Sequence, residues 1–307
     1  MKKLCVLIIM SLLLLVTACS GTNSSASKAN DGETTKITIG GKNWTEQILL
    51  VHIMGTLLEY HTDHEIVLRD GLGSSDVLVH ALGDDDIQLF ADYTGTGLIN
   101  VLGLELEPDD TPETVYERTK KGFEEEFGFT WLEPLGFSNT FTLILKKEKA
   151  EELNVKNFSD LVPHMPDLVL GSDAQFMERQ DGYRGLAEAY GIEGFKDTSE
   201  MDIGLAFAAI DQGNVDVVVG YSTDGRIPAL DLVILEDDKD YFPPYYAAPI
   251  LKVDFLEKYP EVGEVLNKLA GLIDETTMSG LNAKMDIDRM DERKIAEDFL
   301  REMGLIE

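Results

Sequence analysis

Cysteine is almost missing from this chain: of 307 residues only Cys5 and Cys19 are cysteines, and both precede residue 20. A disulfide framework and a cysteine-ligated zinc site are therefore excluded from the body of the protein. Basic residues are also scarce, 26 against 57 acidic ones, giving a formal net charge of -31. A field of that sign repels nucleic-acid backbones and anionic lipid, so no nucleic-acid partner is expected. There is no GxGxxG and no P-loop; Gly71-Leu72-Gly73 alone is too short to cradle a phosphate. His61 and His64 are the close pair among five histidines, and no carboxylate pattern accompanies them, so no metal or other cofactor is expected. Gly220-Tyr221-Ser222-Thr223-Asp224 falls one residue short of a nucleophile elbow, because Asp224 stands where the second glycine belongs. The stretch 286–297 has the length of a calcium loop but carries Asp291 at the turn position that needs glycine, and reads as the start of an acidic solvated helix. No catalytic constellation emerges.

The amino terminus reads as an address. Lys2 and Lys3 precede an apolar run from Leu4 to Val16, too short and wrongly flanked for a spanning helix. Residues 1–18 are thus expected to be a signal peptide. Val16-Thr17-Ala18-Cys19 resembles the lipobox of bacterial lipoproteins, which makes Cys19 the lipidated first residue of the mature chain. Two or three acyl chains anchor stably where one does not. The stretch 19–35 is rich in Ser, Asn, Gly and Thr and reads as a flexible tether. The expected location is the extracytoplasmic side of the cell membrane.

Beyond the tether, strand and helix signals alternate. Lys36 to Gly40 is a β-branched run; Asn43 with Glu46 three residues on predicts a capped helix whose inner face is Leu50, Met54, Leu57 and Leu58. Strand signals at 65–69 and 87–91 flank a helix at 74–82, an order that argues for a mostly parallel sheet with helical crossovers. The pattern restarts at Phe141 to Leu145, with buried strands at 168–171 and 215–220, helices at 182–190 and 201–212, and strands at 232–235 and 249–253. From Tyr259 to Gly304 it is helical. Length and pattern together suit two α/β lobes with a cleft between them.

Aromatic residues stand at the ends of these strands, beside Gly, Pro and small polar residues. Tyr93 lies in Asp92-Tyr93-Thr94-Gly95-Thr96, Phe141 in Ser138-Asn139-Thr140-Phe141, Tyr221 in Gly220-Tyr221-Ser222, and Tyr245 after Phe242-Pro243-Pro244. Ligands of α/β sheets lie outside the carboxyl ends of strands, where Tyr93 and Tyr221 fall. Rings converging there would hold a quaternary ammonium through their quadrupoles, at about 0.5–2 kcal/mol each.

In these residues the chain resembles the substrate-binding lipoproteins of ABC transporters for osmoprotectants, the glycine betaine/carnitine/choline-binding family. The motifs are Gly41-Lys42-Asn43-Trp44-Thr45-Glu46-Gln47, Asp92-Tyr93-Thr94-Gly95-Thr96, Arg179-Gln180-Asp181-Gly182, Tyr221-Ser222-Thr223-Asp224-Gly225-Arg226 and Phe242-Pro243-Pro244-Tyr245. The resemblance implies a two-lobed periplasmic-binding-protein fold of type II, with lobe 1 formed by 36–138 plus 246–307 and lobe 2 by 139–245. It implies an aromatic cage of Tyr93, Tyr221 and Tyr245, with Phe141 where relatives usually have tyrosine. Arg179 matches an arginine that holds the ligand carboxylate, against which stands an ion pair with Asp181 or Glu178. Thr96 and Asn139 match polar ligand contacts, and so, more weakly, does Gln47. Gln175 and Tyr246 depart from the family pattern at positions expected to alter ligand choice. The expected partners are a small quaternary ammonium solute, a membrane permease and a separate ATPase; the receptor itself is expected to be monomeric and to catalyse nothing. The rival readings are a receptor for another zwitterion such as an amino acid, and an extracellular hydrolase using Ser222.

Overall fold

A computed structural model of the chain describes residues 34–307 apart from Pro108. The signal segment, Cys19 and the tether up to residue 33 lie outside the described residues. Among the described residues ten strands build two sheets: β1 (Lys36–Gly40), β2 (Glu65–Arg69), β3 (Leu89–Tyr93), β4 (Phe129–Trp131), β5 (Phe141–Lys146), β6 (Val169–Ser172), β7 (Asp197–Glu200), β8 (Val217–Tyr221), β9 (Leu232–Ile234) and β10 (Ala247–Lys252). The first sheet has the order β2-β1-β3-β10-β4 and the second β7-β6-β8-β5-β9. Each sheet forms one half of the expected two-lobed α/β architecture: three parallel strands, then one antiparallel strand, then an edge strand.

The antiparallel fourth strand departs from a simple alternating pattern. In each sheet it is the strand that follows a crossing of the chain from the other sheet: β5 follows β4 into the second, and β10 follows β9 back into the first. The two crossing segments are paired with one another. Ser138 bridges Tyr246 antiparallel, the Asn139 N–H donates to the Tyr245 carbonyl at 3.0 Å, and the Tyr245 N–H donates to Ser138 Oγ at 3.1 Å.

The helix Thr45–His61 packs on the first sheet, burying Leu50, Met54, Leu57 and Leu58 against Ile37 and Ile39 as their spacing predicts. The capping box expected at Asn43 is not formed. Trp44 is the N-cap, without a side-chain bond, and Glu46 is turned inward and only 2% exposed. In the second sheet Leu143, Leu145, Val217 and Val219 line one face, while Ile144 and Val218 pack on Phe207 and Ile210 from the other. The helical stretch expected from 259 to 304 is broken into Pro260–Leu266, Glu275–Asp286 and Glu292–Glu302, the last two capped by Asp274 and Asp291. His61 Nε2 lies 2.8 Å from the Leu305 carbonyl and His64 Nε2 3.0 Å from Glu261, which makes both structural. Among the described residues no helix is long and apolar enough to cross a membrane.

Candidate functional site

Strand register brings the expected rings together. Phe141 and Tyr221 are direct partners across β5 and β8, with ring centroids 5.3 Å apart. On the first sheet Tyr93 ends β3 opposite Ala247, two residues beyond Tyr245. Tyr245 meets Phe141 edge-on at 5.9 Å. Behind Phe141 stand Phe176 and Phe242, at 5.1 and 5.8 Å. One further ring joins them that the strand-end pattern does not point to: Trp44 stacks on Tyr221 at 5.7 Å with 16° between their planes.

Two cations are lodged against these rings. Lys42 Nζ lies 5.1 Å from the Trp44 ring and 5.2 Å from that of Tyr93, and is ion-paired with Asp92 at 2.6 Å. Burial lowers its pKa, opposed by Asp92. The Arg179 guanidinium sits 5.0 Å from the Phe141 ring. Arg179 is ion-paired with Asp181: Nε and Nη2 donate to its two oxygens at 2.8 and 2.6 Å. Nη2 also reaches Thr96 Oγ1 at 3.2 Å. Burial alone would raise the Asp181 carboxyl, but Arg179, Tyr245 and Asn100 together hold it below its ordinary value. Tyr245 donates to Asp181 Oδ2 at 2.5 Å and Asn100 Nδ2 to Oδ1 at 3.0 Å.

Glu46 is a further buried carboxylate. Oε1 accepts from Tyr93 Oη at 2.5 Å and Asn139 Nδ2 at 2.8 Å; Oε2 accepts from Thr223 Oγ1 at 2.5 Å and Asn282 Nδ2 at 3.2 Å. Burial raises its pKa in spite of these four donors. Burial likewise raises the phenols of Tyr93, Tyr221 and Tyr245 well above their usual value, so all three are neutral rings. Gln47 is buried beside Tyr93, and among the described residues Asn139 Oδ1 has no hydrogen-bond partner.

Ring contacts and hydrogen bonds thus tie Tyr93, Thr96, Asn139, Phe141, Arg179, Tyr221 and Tyr245 into one network. Trp44, Lys42, Glu46 and Asp181 are its additions. A cavity of about 370 Å3 opens beside it, lined by Trp44, Asp173, Gln175, Met201 and Tyr221. Tyr246 does not join: neighbouring residues of an extended segment point to opposite sides, and it lines a separate cavity with Tyr116 and Glu133. Ser222 Oγ accepts from the Thr140 N–H at 3.1 Å, a bond that ties the second sheet's turns together.

The chain is similar to several known proteins. The family described as the substrate binding domain of ABC-type glycine betaine transport system matches residues 35–302. The carnitine transport binding protein OpuCC of Listeria monocytogenes is 36% identical over 299 residues, which cover 97% of this chain and 96% of that one. The ergothioneine transport permease/ergothioneine binding protein EgtU of Helicobacter pylori is 35% identical over 271 residues, 88% of this chain and 48% of that longer protein. The crystal structure of a glycine betaine/carnitine/choline ABC transporter, 34% identical, superposes with a TM-score of 0.74 over 88% of this chain and 100% of that one.

Proposed function

The chain belongs to the family of substrate binding domains of ABC-type glycine betaine transport systems, and on that premise we propose that its aromatic network captures the trimethylammonium group of a small solute for delivery to a membrane permease. The carrying observation is the convergence of Tyr93, Trp44, Phe141, Tyr221 and Tyr245 around groups that already hold two cations by ring contact. Four carboxyl groups (Glu46, Asp92, Asp173 and Asp181) surround two basic side chains, Lys42 and Arg179, so the site's charge favours a cationic end. Micromolar affinity requires about 8 kcal/mol. Four or five ring contacts at about 0.5–2 kcal/mol each supply a large part of it. Thr96, Asn139 and Gln47 are the polar anchors of this reading, and Arg179 serves the ligand carboxylate while remaining paired with Asp181.

The relatives' ligands, carnitine, glycine betaine, choline and ergothioneine, share a quaternary trimethylammonium and differ in what it carries. That common group is the one the rings recognise. An amino acid offers an ammonium that needs hydrogen-bond acceptors instead, and the nearest acceptors, Glu46 and Asp181, are already saturated by protein donors. The lobes of this reading comprise 36–138 plus 246–307 and 139–245, in line with the strands each sheet draws on. The receptor is a monomer held to the extracytoplasmic face of the membrane through lipidated Cys19, and its permease is powered by a separate ATPase.

Calorimetric titration of residues 20–307 with glycine betaine, choline, carnitine, ergothioneine and proline tests the proposal. Saturable binding of the methylated ammonium compounds, with proline silent, is expected. Failure of all four on folded, ligand-stripped protein would overturn it.

A further inference from the structure

The turn that leaves β8 is seated on the backbone of a helix belonging to the other sheet's side. Thr223 in this turn donates to Glu46 Oε2 at 2.5 Å, and its carbonyl accepts from Asn282 Nδ2 at 2.9 Å. Asn282 lies on the helix Glu275–Asp286, which packs against the helix Thr45–His61 that carries Glu46. Two residues on, Gly225 touches the same helix. A Cβ on Gly225 would fall 2.4 Å from the Ala283 nitrogen and 2.6 Å from its Cα. Yet the Gly225 backbone is ordinary, with φ -67 and ψ -14, a conformation any residue adopts. Its own backbone therefore makes no demand for glycine; the facing helix does.

We propose that the Thr223–Gly225 turn, Glu46 and the Asn282–Ala283 backbone form a latch on lobe closure. The inference rests on the receptor reading above, and adds to it the element that sets the balance between open and closed forms. When the lobes separate, Glu46 loses its Thr223 donor and Asn282 its carbonyl acceptor, while Tyr93 stays bonded to Glu46. Because Glu46 also fixes the Tyr93 hydroxyl, the latch couples closure to the orientation of a cage ring. Apparent affinity scales with the fraction of molecules able to close, so loosening the latch weakens binding without touching the ligand.

Gly225→Ala is the sharp test, since the three atoms nearest its methyl group all belong to Ala283 of the facing helix. Thr223→Val, which removes one donor at nearly constant shape, is the second variant. The body of the chain has no cysteine, so a label pair replacing Lys121 and Glu152, exposed on the helices Pro112–Phe127 and Lys147–Leu153, reports the separation of the lobes. With glycine betaine and choline as probes, Gly225→Ala is expected to bind at least tenfold more weakly through faster release. Its label distance should remain longer than that of wild type at saturating probe. Thr223→Val should release the probes about threefold to tenfold faster. Wild-type binding and wild-type distance in both variants would overturn the latch. Should neither probe bind the wild-type protein, the four-ligand titration above decides the receptor reading, and the latch is judged on ligand-free protein alone. There Gly225→Ala must lengthen the label distance, and an unchanged distance overturns it.

Discussion

Tyr221 carries a different aromatic partner on each side: Phe141, its register partner on β5, at 5.3 Å, and Trp44, from the first sheet's side, stacked at 5.7 Å. The first contact is made within one sheet by strand pairing. The second exists because the two sheets face each other across the cleft, which brings the N-cap residue of the first helix against a strand end of the second sheet.

Trp44→Ala is expected to weaken binding of a trimethylammonium ligand by the worth of one ring, about 0.5–2 kcal/mol, or roughly twofold to thirtyfold. The chain has two tryptophans, and the other, Trp131, is fully buried against Phe123. A ligand-dependent change in tryptophan emission should therefore disappear in Trp44→Phe. Its persistence would assign the signal to Trp131 and remove Trp44 from the site.

Arg179 and Asp181 form a buried pair, their side chains 15% and 3% exposed. Removing one partner leaves the other charge without compensation, which costs about 3–5 kcal/mol. Urea denaturation of Arg179→Ala should show a loss of that order, and the double variant with Asp181→Ala should recover part of it. Because the Asp181 carboxyl is held below its ordinary value, its share of stability is present above the ordinary carboxylate range and is lost as pH falls through the depressed folded value.

Tyr245 gives the opposite limb. Burial first, then the neighbouring Asp181 charge, keeps its phenol protonated well beyond the usual range. The unfolded chain releases that proton near pH 10, about the free phenol value, so stability falls as pH rises above it. One such group contributes a slope of about 1.4 kcal/mol per pH unit. Tyr245→Phe should reduce the alkaline slope of unfolding free energy by about that amount, measured by denaturation at several pH values above roughly 9. An identical slope would show that the phenol titrates normally.

For the amino terminus the expected outcome is a change of compartment. Cys19→Ser should move the protein from the membrane fraction of a bacterial host to the soluble extracytoplasmic fraction, as followed by fractionation and immunoblotting. Retention on the membrane would discard the lipid anchor.

Much of this arrangement is legible in the amino-acid order, and the reason is local. Tyr93, Phe141, Tyr221 and Tyr245 each sit at a strand end beside Gly, Pro or a small polar residue, and strand ends are where α/β sheets bind ligands. Glu46 misleads for an equally local reason. Asn43-x-x-Glu46 has the spacing of a solvated capping box, and the donors that reveal its buried role, Thr223 and Asn282, lie 177 and 236 residues away. Trp44 belongs to the same blind spot, since its partner Tyr221 comes from the other sheet. The pairing of Arg179 with Asp181 is one of two readings that spacing alone leaves open. Strand direction in β5 and β10 is hidden too, because it depends on the side from which the chain re-enters each sheet.

The pairing of the two crossing segments gives the molecule a directional joint. Two independent tethers would let the halves slide, twist and separate in several ways. Ser138 to Asn139 and Tyr245 to Tyr246 are instead laced into a short ribbon by the bonds between them. A ribbon folds across its flat side far more easily than along its edge. Any parting of the halves then has to bend this paired ribbon, whatever solute is held. Solutes that share the cage would differ in how often that joint swings, and all of them would leave by the same route.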